Sequence, residues 1–161
     1  MILEQGINFF KGDHKTGKTH LLWNISSYLE TIGKKLCFIS GTNEHEDDSM
    51  FLRKFEFSFF RKDDKRTFEL VSELKDSYDY IIIDDIDYIN HDFIEILFKT
   101  KKTIICTCFE SRNYIELNYP SINFYINNGN IETPIGIYNL DNFMKVIKRE
   151  DKINLLLDDK S

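Results

Sequence analysis

The sequence predicts an α/β fold: a three-layer sandwich with a mostly parallel sheet of about five strands and helices on both faces. Three observations predict it. Short apolar runs alternate with segments of helical periodicity; the stretch KGDHKTGKTHLL, Lys11 to Leu22, sets a glycine loop between a strand and a helix; and a later apolar strand ends in two adjacent carboxylates, Asp84 and Asp85.

Ile7, Phe9 and Phe10 form a short strand that runs directly into the loop at Gly12. After Lys18, the positions Leu21, Leu22, Ile25, Tyr28, Leu29 and Ile32 recur at helical spacing, and Gly33 followed by Lys34 and Lys35 marks the stop. Leu36 to Ser40 is nearly continuous in apolar residues, as expected of a parallel strand covered on both faces, and a polar loop, Gly41 to Ser49, follows. In MFLRKFEFSFF, Leu52, Phe55 and Phe59 fit a helix while Phe55, Phe57 and Phe59 fit a strand, so periodicity does not choose. Arg61 to Arg66, RKDDKR, mixes both signs and reads as a solvated loop, with a DNA contact as the alternative.

Phe68, Val71, Leu74 and Tyr78 suggest a helix leading into the strand Tyr80 to Asp84. Phe93, Ile94, Leu97 and Phe98 make another helix, and Thr103 to Cys108 another strand. Ile122 to Ile126 and Ile135 to Tyr138 read as short strand pieces around the turn NNGN at Asn127 to Asn130. Asp141 is placed to cap a last helix containing Phe143, Val146 and Ile147.

With 161 residues and 42% hydrophobic content the chain holds one core, so we expect a single domain over 1–150 and a tail over 151–161. No apolar run approaches the length a bilayer requires, and the N-terminus has no basic segment followed by an apolar one; no membrane association and a cytoplasmic location are expected. Cys37, Cys106 and Cys108 have no metal-ligand spacing and fall within apolar runs, which predicts buried free thiols. The net charge of −6 disfavours polyanion binding, since such binding draws on Lys and Arg neutralising phosphates; direct DNA binding should be weak or absent.

Gly12-Asp13-His14-Lys15-Thr16-Gly17-Lys18-Thr19 satisfies G-x-x-x-x-G-K-[ST], the Walker A or P-loop pattern, without mismatch. The loop's amides, at the positive end of the following helix, suit a phosphate. Lys18 adds a point charge toward the β- and γ-phosphates, and the Thr19 hydroxyl completes a Mg2+ shell. Gly12 through His20 are therefore the candidate contacts for ATP or ADP, with His14 read as a solvent-facing spacer. In an open parallel sheet ligands collect at the carboxyl ends of strands, which places Asp84 near the Mg2+ and leaves Asp85 to orient or deprotonate an attacking water. Thr19 and Asp84 are thus the candidate metal residues, and Asp85 the candidate catalyst.

Gly17-Lys18-Thr19-His20-Leu21-Leu22, followed by Asn24-Ile25-Ser26-Ser27-Tyr28-Leu29, resembles the start of the AAA+ module in the bacterial replication initiator DnaA and its regulator Hda. Ile83-Asp84-Asp85-Ile86 resembles their Walker B strand, and the DnaC-like helicase loaders share G-K-T-H-L and I-D-D. The similarity runs from about Gly6 through Thr107, with a looser match to Arg149.

The resemblance implies a nucleotide-binding module in replication initiation, with an initiator, helicase or sliding clamp as partner, self-association as a homo-oligomer left open, and hydrolysis completed by a neighbouring subunit. A Gln-containing N-terminal peptide reaches the clamp in Hda-like proteins. Here Gln5-Gly6-Ile7-Asn8-Phe9-Phe10 is needed as the first strand. The chain also departs from the family. Thr107, Cys108 and Phe109 stand where a polar sensor ends the fourth strand; Ser121-Ile122-Asn123-Phe124 stands where an arginine finger is carried; and no full helical lid follows. An arginine acting on the transferring phosphoryl group is worth roughly three to five orders of magnitude in rate, so nucleotide binding with slow intrinsic hydrolysis is expected.

Two rival readings accompany this one. An autonomous RecA-like ATPase in DNA recombination or replication would use Glu44 or Glu46, in Glu44-His45-Glu46 after the second strand, to polarise water. A small-molecule kinase on the same framework would need an arginine-bearing lid, and the sequence has no arginine cluster to supply one.

Overall fold

The computed structural model describes residues 3, 6–41, 58–61, 77–89, 91–109 and 121–158. Within them the chain runs β1 (Ile7–Lys11), α1 (Lys18–Thr31), β2 (Leu36–Ser40), β3 (Ser58–Arg61), β4 (Tyr80–Asp84), a 3-10 turn (Ile86–Tyr88), α2 (His91–Lys99), β5 (Thr103–Cys108), β6 (Ser121–Asn127), β7 (Asn130–Thr133), β8 (Gly136–Asn139) and α3 (Leu140–Asp158). The strands make one sheet in the order β3-β2-β4-β5-β1-β6-β7-β8, parallel from β3 to β6 and antiparallel through the last two.

The sheet is mostly parallel with helices on both faces, as predicted, but has eight strands where about five were expected. The additions lie at its two edges. Ser58–Arg61, from the segment that periodicity left open, pairs with β2; Met50 to Phe57 and the segment carrying Phe68, Val71 and Leu74 lie outside the described residues. Arg61 closes β3, so the mixed-charge run begins in a strand, with 62–66 outside the described residues. At the other edge, Asn128 and Gly129 adopt positive φ and turn β6 back into β7, giving a hairpin in which Asn127 faces Asn130.

The pleat sends alternate side chains to opposite layers. Ile7, Phe9, Cys37, Ile39, Ile81, Ile83, Ile104 and Cys106 meet the apolar stripe of α2, where Phe93, Ile94, Leu97 and Phe98 are buried. Phe10, Phe38, Ile82, Ile105 and Phe124 meet Leu21, Leu22, Ile25 and Leu29 of α1, with Phe143 and Ile147 of α3. Aromatic rings knit this second layer: Phe10 stacks on Phe124 with centroids 4.6 Å apart, and Trp23 stacks on Phe38 at 4.7 Å. Each such pair adds about 0.5–1.5 kcal/mol beyond its buried area.

Helix α1 ends as predicted at Gly33. The Gly33 N–H donates to Glu30 O at 2.9 Å and the Lys34 N–H to Leu29 O at 3.0 Å, the paired bonds of a Schellman stop. The start of α3 differs from expectation. Asn139 caps it, its Oδ1 accepting the Asn142 N–H at 2.9 Å, because the helix begins one residue before Asp141. Asp141 lies instead in the first turn, where its charge complements the helix dipole. The last strand is Gly136–Asn139; Ile135 belongs to the turn, 64% exposed. Helix α3 continues to Asp158, past residue 150 where a separate tail was expected, since no Gly or Pro interrupts it. No helix among the described residues is long and apolar enough to cross a membrane.

Candidate functional site

Strand β5 lies between β1 and β4, so the loop after β1 and the carboxylates after β4 flank the end of a third strand. All three strands point their carboxyl ends the same way, because all three pair in parallel. The glycine loop, Asp84 and Thr107 are thereby gathered on one rim.

The loop braces itself. Thr16 Oγ1 donates to Asp13 O at 2.9 Å, and the Lys18 ammonium donates to Gly12 O at 2.8 Å and to Asp13 O at 2.7 Å. Gly12 packs against the Ile126 carbonyl, and its own N–H donates to Cys108 O at 3.3 Å. Gly17 has φ 91° as it leads into α1, a conformation that a residue with a Cβ adopts only under strain. The first N–H of the helix to find a helical acceptor is that of Leu21, which donates to Gly17 O at 2.9 Å. No side chain caps the helix, so the N–H groups of its first turn, Lys18 to His20, have no acceptor within it. A row of donors at a helix's positive end suits the phosphates of ATP or ADP.

The metal residues also meet. Asp84 is 1% exposed, and its Oδ1 accepts the Thr19 hydroxyl at 3.3 Å, joining the loop to β4 across 65 positions of sequence. The same Oδ1 accepts Thr107 Oγ1 at 2.5 Å, and Thr107 Oγ1 accepts the Asp85 N–H at 2.7 Å. A hydroxyl and a carboxylate are hard oxygen donors of the kind Mg2+ takes together with phosphate oxygens and water. No cluster of three His, Cys, Asp or Glu side chains is found among the described residues. A dedicated protein cage is not what Mg2+ requires beside a nucleotide.

Asp85 follows directly, half-buried, with φ 54°. Strand β2 presses against it: the Gly41 N–H donates to Asp84 O at 2.8 Å, and a Cβ on Gly41 would come within 2.0 Å of Asp85 O. Only glycine fits there. Glu44 and Glu46, the alternative water-polarising residues, lie outside the described residues.

The predicted site residues therefore separate into groups. Gly12, Thr16, Lys18, Thr19 and Asp84 interlock through the bonds above. Asp13 acts through its carbonyl, its side chain being exposed, and Lys15 shapes the loop with φ 60°. His20 is exposed, its carbonyl accepting Asn24 Nδ2 at 2.8 Å, so it offers the site a backbone amide alone. His14 is exposed but more than a spacer: its ring lies 4.6 Å from that of Phe109.

Three residues of the rim are not among the candidate site residues of the sequence. Thr107 reads there as a departure from the family at the sensor position, yet the strand order places its hydroxyl on Asp84. Asp87, buried, accepts the Phe109 N–H on Oδ2 at 2.7 Å. Phe109 lies over Lys18, its centroid 4.9 Å from the ammonium nitrogen. The repeated acid of Asp84-Asp85-Ile86-Asp87 was the available signal for Asp87; nothing local marks the other two. The cysteines are buried free thiols, as predicted. Burial pushes Cys37 and Cys108 up to about 12, with the Asp87 carboxylate adding to the effect at Cys108, so both stay protonated and unreactive near neutrality.

No protein-family model matches the chain, and no curated protein matches it significantly in sequence. Solved structures match it in shape. The flagellar accessory protein FlaH from Methanocaldococcus jannaschii aligns with a TM-score of 0.53 at 15% identity, over 79% of this chain and 75% of that one. A KaiC-like protein from Pyrococcus horikoshii aligns with a TM-score of 0.56 at 14% identity, over 81% of this chain and 79% of that one. Neither likeness singles out the DnaA or Hda module that the sequence resembles. Fold and similarity together make this chain an α/β protein with the P-loop ATPase fold.

Proposed function

We propose that this protein binds ATP or ADP with Mg2+ and is an ATPase of the RecA-like kind, the reading that similarity to a KaiC-like protein favours over a DnaA- or Hda-like replication regulator. The observation that carries it is the meeting of Thr19 with Asp84, on the same oxygen that Thr107 also bonds. Lys18 and the amides from Asp13 to His20 bind the phosphate chain, and Gly17 lets the loop curl to present them. Thr19 and Asp84 hold Mg2+, which when bound neutralises charge on the phosphates. Thr107 is a positioning residue: it fixes the Asp84 carboxylate and, through the Asp85 N–H, the backbone of the residue that orients water. Turnover by the protein alone is expected to be slow, because the sequence has Ser121-Ile122-Asn123-Phe124 where the resembled family carries an arginine finger.

Isothermal titration of the protein with ATP and ADP plus Mg2+, beside Lys18→Ala, tests the binding. Loss of charge-assisted bonds worth about 1.5–3 kcal/mol should weaken the variant roughly tenfold to hundredfold. Absence of binding by the wild type, or equal binding by Lys18→Ala, would end the proposal. A turnover assay of Asp85→Asn then separates chemistry from binding, with slower hydrolysis at undiminished affinity as the expected result.

A further inference from the structure

Phe109 is the residue that follows β5, and three side chains surround its ring. The Lys18 ammonium lies 4.9 Å from the centroid, the His14 ring 4.6 Å away and tilted by 57°, and the Tyr88 ring 6.2 Å away and edge-on at 81°. The backbone is anchored separately, by the 2.7 Å bond from the Phe109 N–H to Asp87 Oδ2. That bond holds the residue at the rim whatever its side chain does. The ring turns about its Cα–Cβ bond, so it is the movable part.

Lys18 is enclosed on two sides. Loop carbonyls of Gly12 and Asp13 accept two of its protons, the Phe109 ring covers it, and the residue is left 7% exposed. A phosphate oxygen that pairs with this ammonium must displace the aromatic face or draw the ammonium away from the carbonyls. Displacing the ring is the smaller change, because the carbonyl bonds also brace the loop and the ring is half-exposed. We infer that Phe109 controls phosphate access to Lys18: its ring competes with the terminal phosphates of a nucleoside di- or triphosphate for the ammonium, and swings aside when they bind. The inference rests on the nucleotide reading above and adds to it a residue that sets affinity.

Stopped-flow association of fluorescently labelled ADP with Mg2+, measured for the wild type, Phe109→Ala and Phe109→Leu, tests it together with the His14 imidazole proton resonances. Removing a competing cation–π contact should tighten binding by Phe109→Ala roughly threefold to thirtyfold, with the gain in the association rate. Phe109→Leu keeps apolar cover without an aromatic face and should fall between the two. In the wild type the His14 resonance, assigned with His14→Gln, should shift as ADP binds, toward the position it already holds in Phe109→Ala. Binding by Phe109→Ala that is weaker, or equal to wild type within about twofold, overturns the inference. So does an unmoved His14 resonance while ADP binds. Failure of all three proteins to bind nucleotide would overturn the nucleotide reading itself, an outcome distinct from equal binding by all three.

Discussion

The parallel and antiparallel parts of the sheet follow different rules. Strands β1 and β2 are buried at every residue and β4 and β5 at all but the first, whereas exposed and covered positions alternate along β7 and β8. A strand covered on both faces can show polar chemistry only at its ends. Asp84 and Thr107 accordingly sit at or next to the carboxyl ends of β4 and β5, and the glycine loop follows β1 directly. In the hairpin one face of each strand is left exposed and the other is covered, so its part is to extend the sheet beneath α3. Tyr138 and Phe143 meet there with centroids 6.4 Å apart, while Ile137 on the other face is 70% exposed.

Three substitutions would break or sharpen this contrast. Phe10→Ala, in the parallel part, removes a fully buried ring that contacts Phe124 and Phe143, and should cost about 3–5 kcal/mol in urea unfolding. A cost under about 1 kcal/mol would mean that the core does not depend on this layer. Thr107→Val keeps the shape but strips Asp84 of a hydroxyl donor and the Asp85 N–H of its acceptor; a loss of about 1–3 kcal/mol is expected, with weaker Mg2+-dependent nucleotide binding. Unchanged stability and unchanged affinity would remove Thr107 from the site. Ile137→Ser should shift stability by no more than about 0.5 kcal/mol, and a larger loss would show that the exposed face of the hairpin is covered in solution.

Sequence revealed the parallel part far better than the hairpin, for the same physical reason. Leu36–Ser40, Tyr80–Asp84 and Thr103–Cys108 match their strands to the residue, because burial on both faces demands an unbroken apolar run. The hairpin's half-covered strands carry a weaker signal, and Ile135 reads as strand although it belongs to a turn between Pro134 and Gly136. The phosphate loop was legible because its chemistry is local: glycines, a lysine and a threonine within one turn of a helix. The contacts of Thr107, Asp87 and Phe109 were not legible, although the family resemblance sets Thr107 and Phe109 at the sensor position. Their contacts depend on β5 lying between β1 and β4, and strand order is not written in any short stretch of sequence. The replication-regulator resemblance rested on His20, Leu21 and Leu22 beside the Walker motifs. Leu21 and Leu22 are core residues of α1 and His20 faces outward, so these positions report helix packing more than partner choice.

The central placement of β1 has a consequence in time. Its two neighbours are β5 and β6, with Ile7 opposite both Ile104 and Ser121, and Asn8 Nδ2 reaches Ile104 O at 3.2 Å across 96 positions. During synthesis at about 5–20 residues per second, β1 leaves the ribosome roughly ten seconds before the second of these neighbours has been made. The phosphate loop is therefore translated well before β5 and β6, the strands between which its own strand is held. Capture of a nucleotide would mark a chain whose sheet has closed around β1.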